Sequence, residues 1–151
     1  MSQKKATFIP PQSNELLEKF VNCLMHKGKK SIARAVLKDC FEILKKDGAK
    51  KPEEVFEKAI SNVAPQIEVR PRRVGGAVYQ IPVEVKSHRQ QTLAIRWILA
   101  ASRARKGMPM AKRLALEFTD AAGEAGEAYK KRENVHKMAK ANKAFAHFAN
   151  F

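Results

Sequence analysis

Along most of this chain apolar residues recur with the period of a helix. Leu16, Leu17, Phe20, Val21, Leu24 and Met25 fall on one helical face, which Ser13 or Asn14 can cap and Gly28 is placed to stop. Ile32, Val36, Cys40 and Leu44 make a strict i+4 row, with Ala33, Leu37 and Phe41 beside it, before Asp47-Gly48 ends a second helix. Pro52 suits the first position of a third helix. Glu53 and Glu54 complement its dipole, and Val55, Phe56, Ala59, Ile60 and Val63 form its apolar face up to Pro65. The helical period returns after the middle of the chain. A fourth helix carries Leu93, Trp97 and Ala101 in one row beside Ala94 and Ile98, and closes at Lys106-Gly107. A fifth runs from Pro109 to Gly123 with Leu114, Ala115, Phe118 and Ala122 inward. A sixth spans Ala128 to Ala146 with Val135, Met138, Ala139 and Ala146 inward.

Between the third and fourth helices the period changes. The stretch QIEVRPRRVGGAVYQIPVEV, residues 66–85, is rich in Val and Ile with Gly75-Gly76 at its centre, which predicts two strands joined by a two-residue turn. Proline cannot donate to a strand ladder, so Pro71 and Pro82 need an explanation. If Gly75-Gly76 is the turn, Val74 faces Ala77 as a hydrogen-bonded pair, and 73:78, 71:80 and 69:82 become the non-hydrogen-bonded pairs. Both prolines then sit where a missing N–H removes no ladder bond. The expected architecture is all-α: a six-helix bundle with a protruding two-stranded β-hairpin arm over residues 66–86. Residues 1–13 are expected to be a basic flexible segment, 14–148 a single domain and 149–151 a tail. No period of about 20 to 50 residues repeats.

Charge changes the picture most. The 151 residues hold 30 Lys plus Arg against 15 Asp plus Glu, a formal net charge of +15. Residues 65–110 carry nine basic and two acidic side chains and are the electrostatic focus. The natural counterpart of so dense a positive field is a polyphosphate. An anionic membrane surface is the rival, but it needs a basic amphipathic helix with a strongly apolar opposite face, and the clusters here lie at helix ends and in the hairpin. No apolar run approaches the ~18 residues that a membrane-spanning helix needs, and the first nine residues, MSQKKATFI, read as neither signal peptide nor presequence, so the chain is expected to start mature. Cys23 and Cys40 form no C-x-x-C pair, and two buried thiols in a reducing compartment are expected.

The hairpin places Arg70, Arg72 and Arg73 opposite Ile81, Tyr79 and Val78, so both of its faces carry a guanidinium. Arginine forks match phosphate oxygens, a tyrosine can stack on a base, and glycines let a backbone approach closely, which together favour a nucleic-acid arm. The competing reading is a ribbon folded down on the bundle with its arginines snorkelling. Further basic groups are Lys27, Lys29, Lys30 and Arg34 after the first helix, Arg89 and Arg96 on the fourth, and Arg103, Arg105 and Lys106 at its end. Lys130, Lys131, Arg132 and Lys137 follow on the sixth. Arg96, beside Trp97 among apolar neighbours, is expected to meet a phosphate or a carboxylate such as Glu84. No catalysis, metal or cofactor is expected. His26, His88, His136 and His147 lack metal-ligand spacing, and neither a phosphate-cradling loop nor a nucleophile elbow occurs. An architectural DNA-binding protein with a Pro-containing β-arm is the alternative to an RNA-binding one.

Three motifs in order, RRVGGAVYQIPVEV, LAIRWILAASRARKG and KKRENVHKMAKANKAFAHF, resemble the bacterial-type small-subunit ribosomal protein seven family, over residues 14–148. The resemblance implies a structural constituent of the small ribosomal subunit: a helical domain with a β-arm that binds rRNA of the head (the 3′ major domain), nucleates head assembly and lies near the exit-site tRNA and the mRNA path. It implies an rRNA-binding surface of Lys27, Lys29, Lys30, Arg34, Arg70, Arg72, Arg73, Arg96, Arg103 and Arg105. The side toward tRNA and mRNA would hold Gly75, Gly76, Ala77, Val78 and Tyr79 of the hairpin tip with Lys130, Lys131, Arg132 and Lys137. Small-subunit head proteins and the platform protein eleven are the implied protein partners. The implied location is the ribosome, in the bacterial cytoplasm or an organelle matrix. The opening MSQKKATFIPPQ departs from the family's usual Arg-rich start, and the chain ends in HFANF instead of the common aromatic and Arg-containing ending.

Overall fold

The computed structural model describes residues 10–11 and 13–150, so most of the expected N-terminal segment lies outside the described residues. Helices α1 (Glu15–Leu24), α2 (Lys30–Lys46) and α3 (Pro52–Val63) lead into strands β1 (Ile67–Val74) and β2 (Ala77–Glu84). Helices α4 (Ser87–Ala104), α5 (Met110–Ala122) and α6 (Gly126–Ala141) follow, and a 3-10 helix over Lys143–Asn150 closes the chain. The Asn14 side chain caps α1 by accepting the Leu17 N–H at 2.8 Å, and Pro52 opens α3.

Helix α5 is the hub, packing against α2, α3, α4 and α6. Where it meets α1 and α3, Phe20, Phe56 and Phe118 are fully buried. Phe56 meets Phe20 and Phe118 edge to face, with centroids 5.4 and 5.3 Å apart, an arrangement that satisfies the ring quadrupoles. Cys40 lies in this core, and burial pushes its thiol up to about 12. Cys23 is only half-buried, against the expectation of two buried thiols.

Two apolar rows differ from expectation. Helix α2 buries Ala33, Leu37, Cys40 and Leu44, while Ile32 is 56% exposed. A strict i+4 row drifts about 40° around the helix per step, so a row anchored at Cys40 and Leu44 carries Ile32 off the core side. Helix α6 buries Ala128, Val135 and Ala139, leaving Met138 outside the stripe and 47% exposed. Nor does α6 reach Ala146. It stops at Asn142, whose side chain turns back to donate to the Met138 carbonyl at 2.8 Å. The following 3-10 helix makes a seventh helical segment, where six were expected. Its three-residue turn puts Phe145 and Phe148 on one side and leaves Ala146 exposed.

The hairpin has the deduced register, with Val74 opposite Ala77, Pro71 opposite Gln80 and Pro82 opposite Val69. Gly75 and Gly76 have φ of +58° and +88°, the pair of positive values that a tight type I′ turn demands. Just beyond the strands, Val85 donates its N–H to the Gln66 carbonyl at 2.9 Å, in phase with a bonded Val74–Ala77 pair. The arm is supported and does not stand free: Ile81 and Val85 are buried, β1 lies against α6 and β2 against the 3-10 helix. Its outer end, with Arg73, Gly75, Gly76, Ala77 and Val78, is exposed.

Candidate nucleic-acid interface

Helix α4 contains no acidic residue. Arg89, Arg96 and Arg103 recur on it every seven residues, close to two full turns, so they line one face over about 20 Å. All three are exposed. The exposure of Arg96 removes the reason for expecting a carboxylate partner, and no ion pair joins it to Glu84 among the described residues. At the arm end of this row, Glu68 of β1 is buried and takes Arg89 at 3.2 Å and its strand neighbour Arg70 as ion-pair partners. One carboxylate therefore fastens the arm to α4 and makes their arginines one continuous stripe. Lys19 of α1 reaches the same corner, donating to the His88 carbonyl at 3.2 Å.

Two more buried glutamates hold cations elsewhere. Glu18 binds Arg34 at 2.9 Å and Lys30 at 3.3 Å. Burial alone would raise its carboxyl, but hydrogen bonds from Arg34, Lys30 and Ser13 outweigh that and hold it below the usual carboxylate range. Glu117 of α5, fully buried, accepts from Arg105 at 2.9 Å and from the Ala128 N–H at 3.0 Å, while Asp120 takes the same guanidinium at 2.7 Å. The hydrogen bond to Glu117, then that to Asp120, raises the pKa of Arg105. None of these glutamates figured among the candidate site residues. The available signal was an acid set among core positions, as Glu117 is between Leu114, Phe118 and Ala121.

The other candidates divide in the same way. Lys27, Lys29, Arg73, Arg103, Lys131 and Lys137 are exposed and make no ion pair among the described residues. Lys130 pairs with Glu127 at 2.8 Å, and Arg132 pairs with Glu133 at 3.0 Å with its guanidinium 5.4 Å from the centre of the Tyr129 ring. Arg72 donates to the carbonyls of Phe148 and Ala149, and Tyr79 packs on Phe145 and Phe148. Neither aromatic of the closing helix was among the candidates, although their i, i+3 spacing in KAFAHF was visible. No group of His, Cys, Asp and Glu among the described residues is arranged to hold a metal ion, and no helix among them is long and apolar enough to cross a membrane.

A helical body with a cationic stripe running onto a β-arm has the build of a structural ribonucleoprotein component. The family model described as ribosomal protein S7p/S5e matches residues 1–143. A small ribosomal subunit protein uS7 of Rhodopirellula baltica is 55% identical over 142 residues, 93% of this chain and 90% of the relative. The protein of that name from Beijerinckia indica is 53% identical over 133 residues, 88% and 85% of the two chains, and that from Helicobacter hepaticus 52% over 139 residues, 92% and 90%. The chain belongs to the ribosomal protein S7p/S5e family, whose role in the ribosome is structural and not enzymatic. The alternative of an architectural DNA-binding protein finds no support in these likenesses.

Proposed function

We propose that this chain is a constituent of the small ribosomal subunit in the bacterial cytoplasm, where it binds rRNA of the head directly and nucleates assembly of that domain. The observation that carries the RNA reading is the Arg70–Glu68–Arg89 junction, because it turns an arm and a helix into one cationic surface aligned with Arg96 and Arg103. A backbone of regularly spaced phosphates is the ligand that such a row fits. The resemblance of the three motifs supports the head as the site, with exit-site tRNA and mRNA toward the hairpin tip, and head proteins and the platform protein eleven as neighbours. Lys27, Lys29 and Arg73 extend the rRNA surface, while Arg34, Lys30 and Arg105 shape it from beneath through Glu18 and Glu117.

Binding to a transcript of the bacterial 3′ major rRNA domain tests this. With about eight phosphates neutralised, log affinity should fall against log salt with a slope of roughly −6 to −7. Arg96→Ala with Arg103→Ala should make the slope shallower by about two while the melting curve stays in place. A slope near −1, or equal affinity for random duplex DNA, overturns the proposal.

A further inference from the structure

The two groups on the arm best suited to hold a nucleotide are already occupied by the chain itself. Arg72 and Tyr79 are cross-strand partners on one arm face. The Arg72 Nη1 donates to the Phe148 carbonyl at 2.9 Å and the Ala149 carbonyl at 3.2 Å. The Tyr79 ring lies 5.0 Å from Phe145 and 5.4 Å from Phe148, centroid to centroid. Carbonyl oxygens thus stand where phosphate oxygens would bind a guanidinium, and aromatic rings where a base would stack. The opposite face, with Arg73 and Val78, is uncovered, and Val78 is 65% exposed.

The covering segment lies at the surface. It is a 3-10 helix, whose hydrogen bonds are poorer than those of an α-helix, and none of residues 143–149 is buried. A cleft of about 300 Å³ opens beside it, lined by Arg70, Pro71, Arg72, Ile81, Val83 and Ala149. We propose that the closing 3-10 helix is a displaceable strap over the Arg72–Tyr79 face, and that single-stranded RNA gains this face by exchanging with it. The exchange replaces neutral acceptors on Arg72 by charged ones, which form the stronger hydrogen bond. The inference rests on the RNA-binding reading above and adds a regulation of one of its surfaces.

The test measures binding of a ten-nucleotide oligo(A), and of the 3′ major domain transcript, to the full chain and to its Phe145→Ala, Phe148→Ala double variant. Removing the strap's rings raises the fraction of open arm, so oligo(A) affinity should rise about threefold or more, and adding Tyr79→Ala should abolish the gain. Unchanged or weaker oligo(A) binding by a double variant with an intact melting curve overturns the strap. Hydrogen exchange on the unaltered chain gives a second readout. The Phe145 N–H, bonded to the Asn142 carbonyl at 3.0 Å, should lose protection when the transcript binds, and retained or greater protection overturns the strap whatever the variant does. Failure of every form to bind the transcript defeats the RNA reading and the strap with it, whereas equal binding by all forms defeats the strap alone.

Discussion

Arg103 and Arg105 stand two residues apart at the end of α4, on two basic regions that differ in what lies beneath them. Along the α4 stripe, Arg96 and Arg103 project from a helix with no acidic residue. Around the corner, Arg105 bridges Glu117 and Asp120, and Glu117 also holds the Ala128 N–H at the start of α6. The guanidinium of the second region closes a part-buried polar network around Glu117 between the end of α4, α5 and α6, while the first region leaves its charge to solvent and ligand. The same residue type at neighbouring positions therefore says little about role. The acid underneath decides it.

The largest expected effect separates these two arginines by stability. Arg105→Ala leaves a fully buried Glu117 carboxylate without its cation and should cost about 3 kcal/mol. Arg103→Ala removes an exposed side chain and should stay within about 0.5 kcal/mol. Urea denaturation of the two variants checks this, and similar midpoints for both would erase the distinction between the regions.

A smaller effect comes from Gly126, which enters α6 over the same carboxylates with φ of +88°. A Cβ there would lie 2.9 Å from the Asp120 Cβ and 3.1 Å from the Glu117 Oε1, in a backbone conformation that L-residues avoid. Gly126→Ala should destabilise by about 2 kcal/mol. The same substitution at Gly28, with φ of +75° but open space around its Cβ position, should cost the backbone term alone. Equal midpoints for the two alanine variants would show that the carboxylates yield freely, and the network would then be less rigid than its geometry implies.

Much of this was legible in the sequence, for reasons that differ by element. The register of the hairpin could be fixed to the residue because Gly75-Gly76 sets the turn and the two prolines admit only one phase of the ladder. The helices were legible because their apolar faces are broad. Where a face is narrow, as in α6, periodicity alone could not separate Met138 outside from Val135 inside. The basic surface was visible as composition, but its division was not, since Glu18, Glu68 and Glu117 reach Arg34, Arg89 and Arg105 through tertiary contacts. The covering of Tyr79 escaped for the same reason: it joins residues more than sixty positions apart.

The smallest expected effect sets the arm against the body through pH. His136 of α6 accepts the Gln66 N–H at 3.3 Å at the foot of β1, and only a neutral ring nitrogen can do so. Burial first, and Arg132 second, hold its pKa below the ordinary histidine value of 6.5, although Glu133 opposes them. A lowered histidine pKa means that the unfolded chain binds the proton more readily. This contribution is therefore complete above 6.5 and lost as pH falls through the folded value. Glu18, on the body, is held below 4.5, so its contribution is complete above 4.5 and lost only as pH falls through its own, lower folded value. Acidification should accordingly loosen the foot of the arm before the α1–α2 contact. The protection factor of the Gln66 amide, its exchange rate taken relative to the intrinsic rate at each pH, should begin to fall below pH 6.5 while those of the α1 amides hold, and His136→Gln should flatten that first step without changing the second. Simultaneous loosening of both would mean that arm and body are one cooperative unit, with the neutral His136 no weaker a fastening than the paired Glu18.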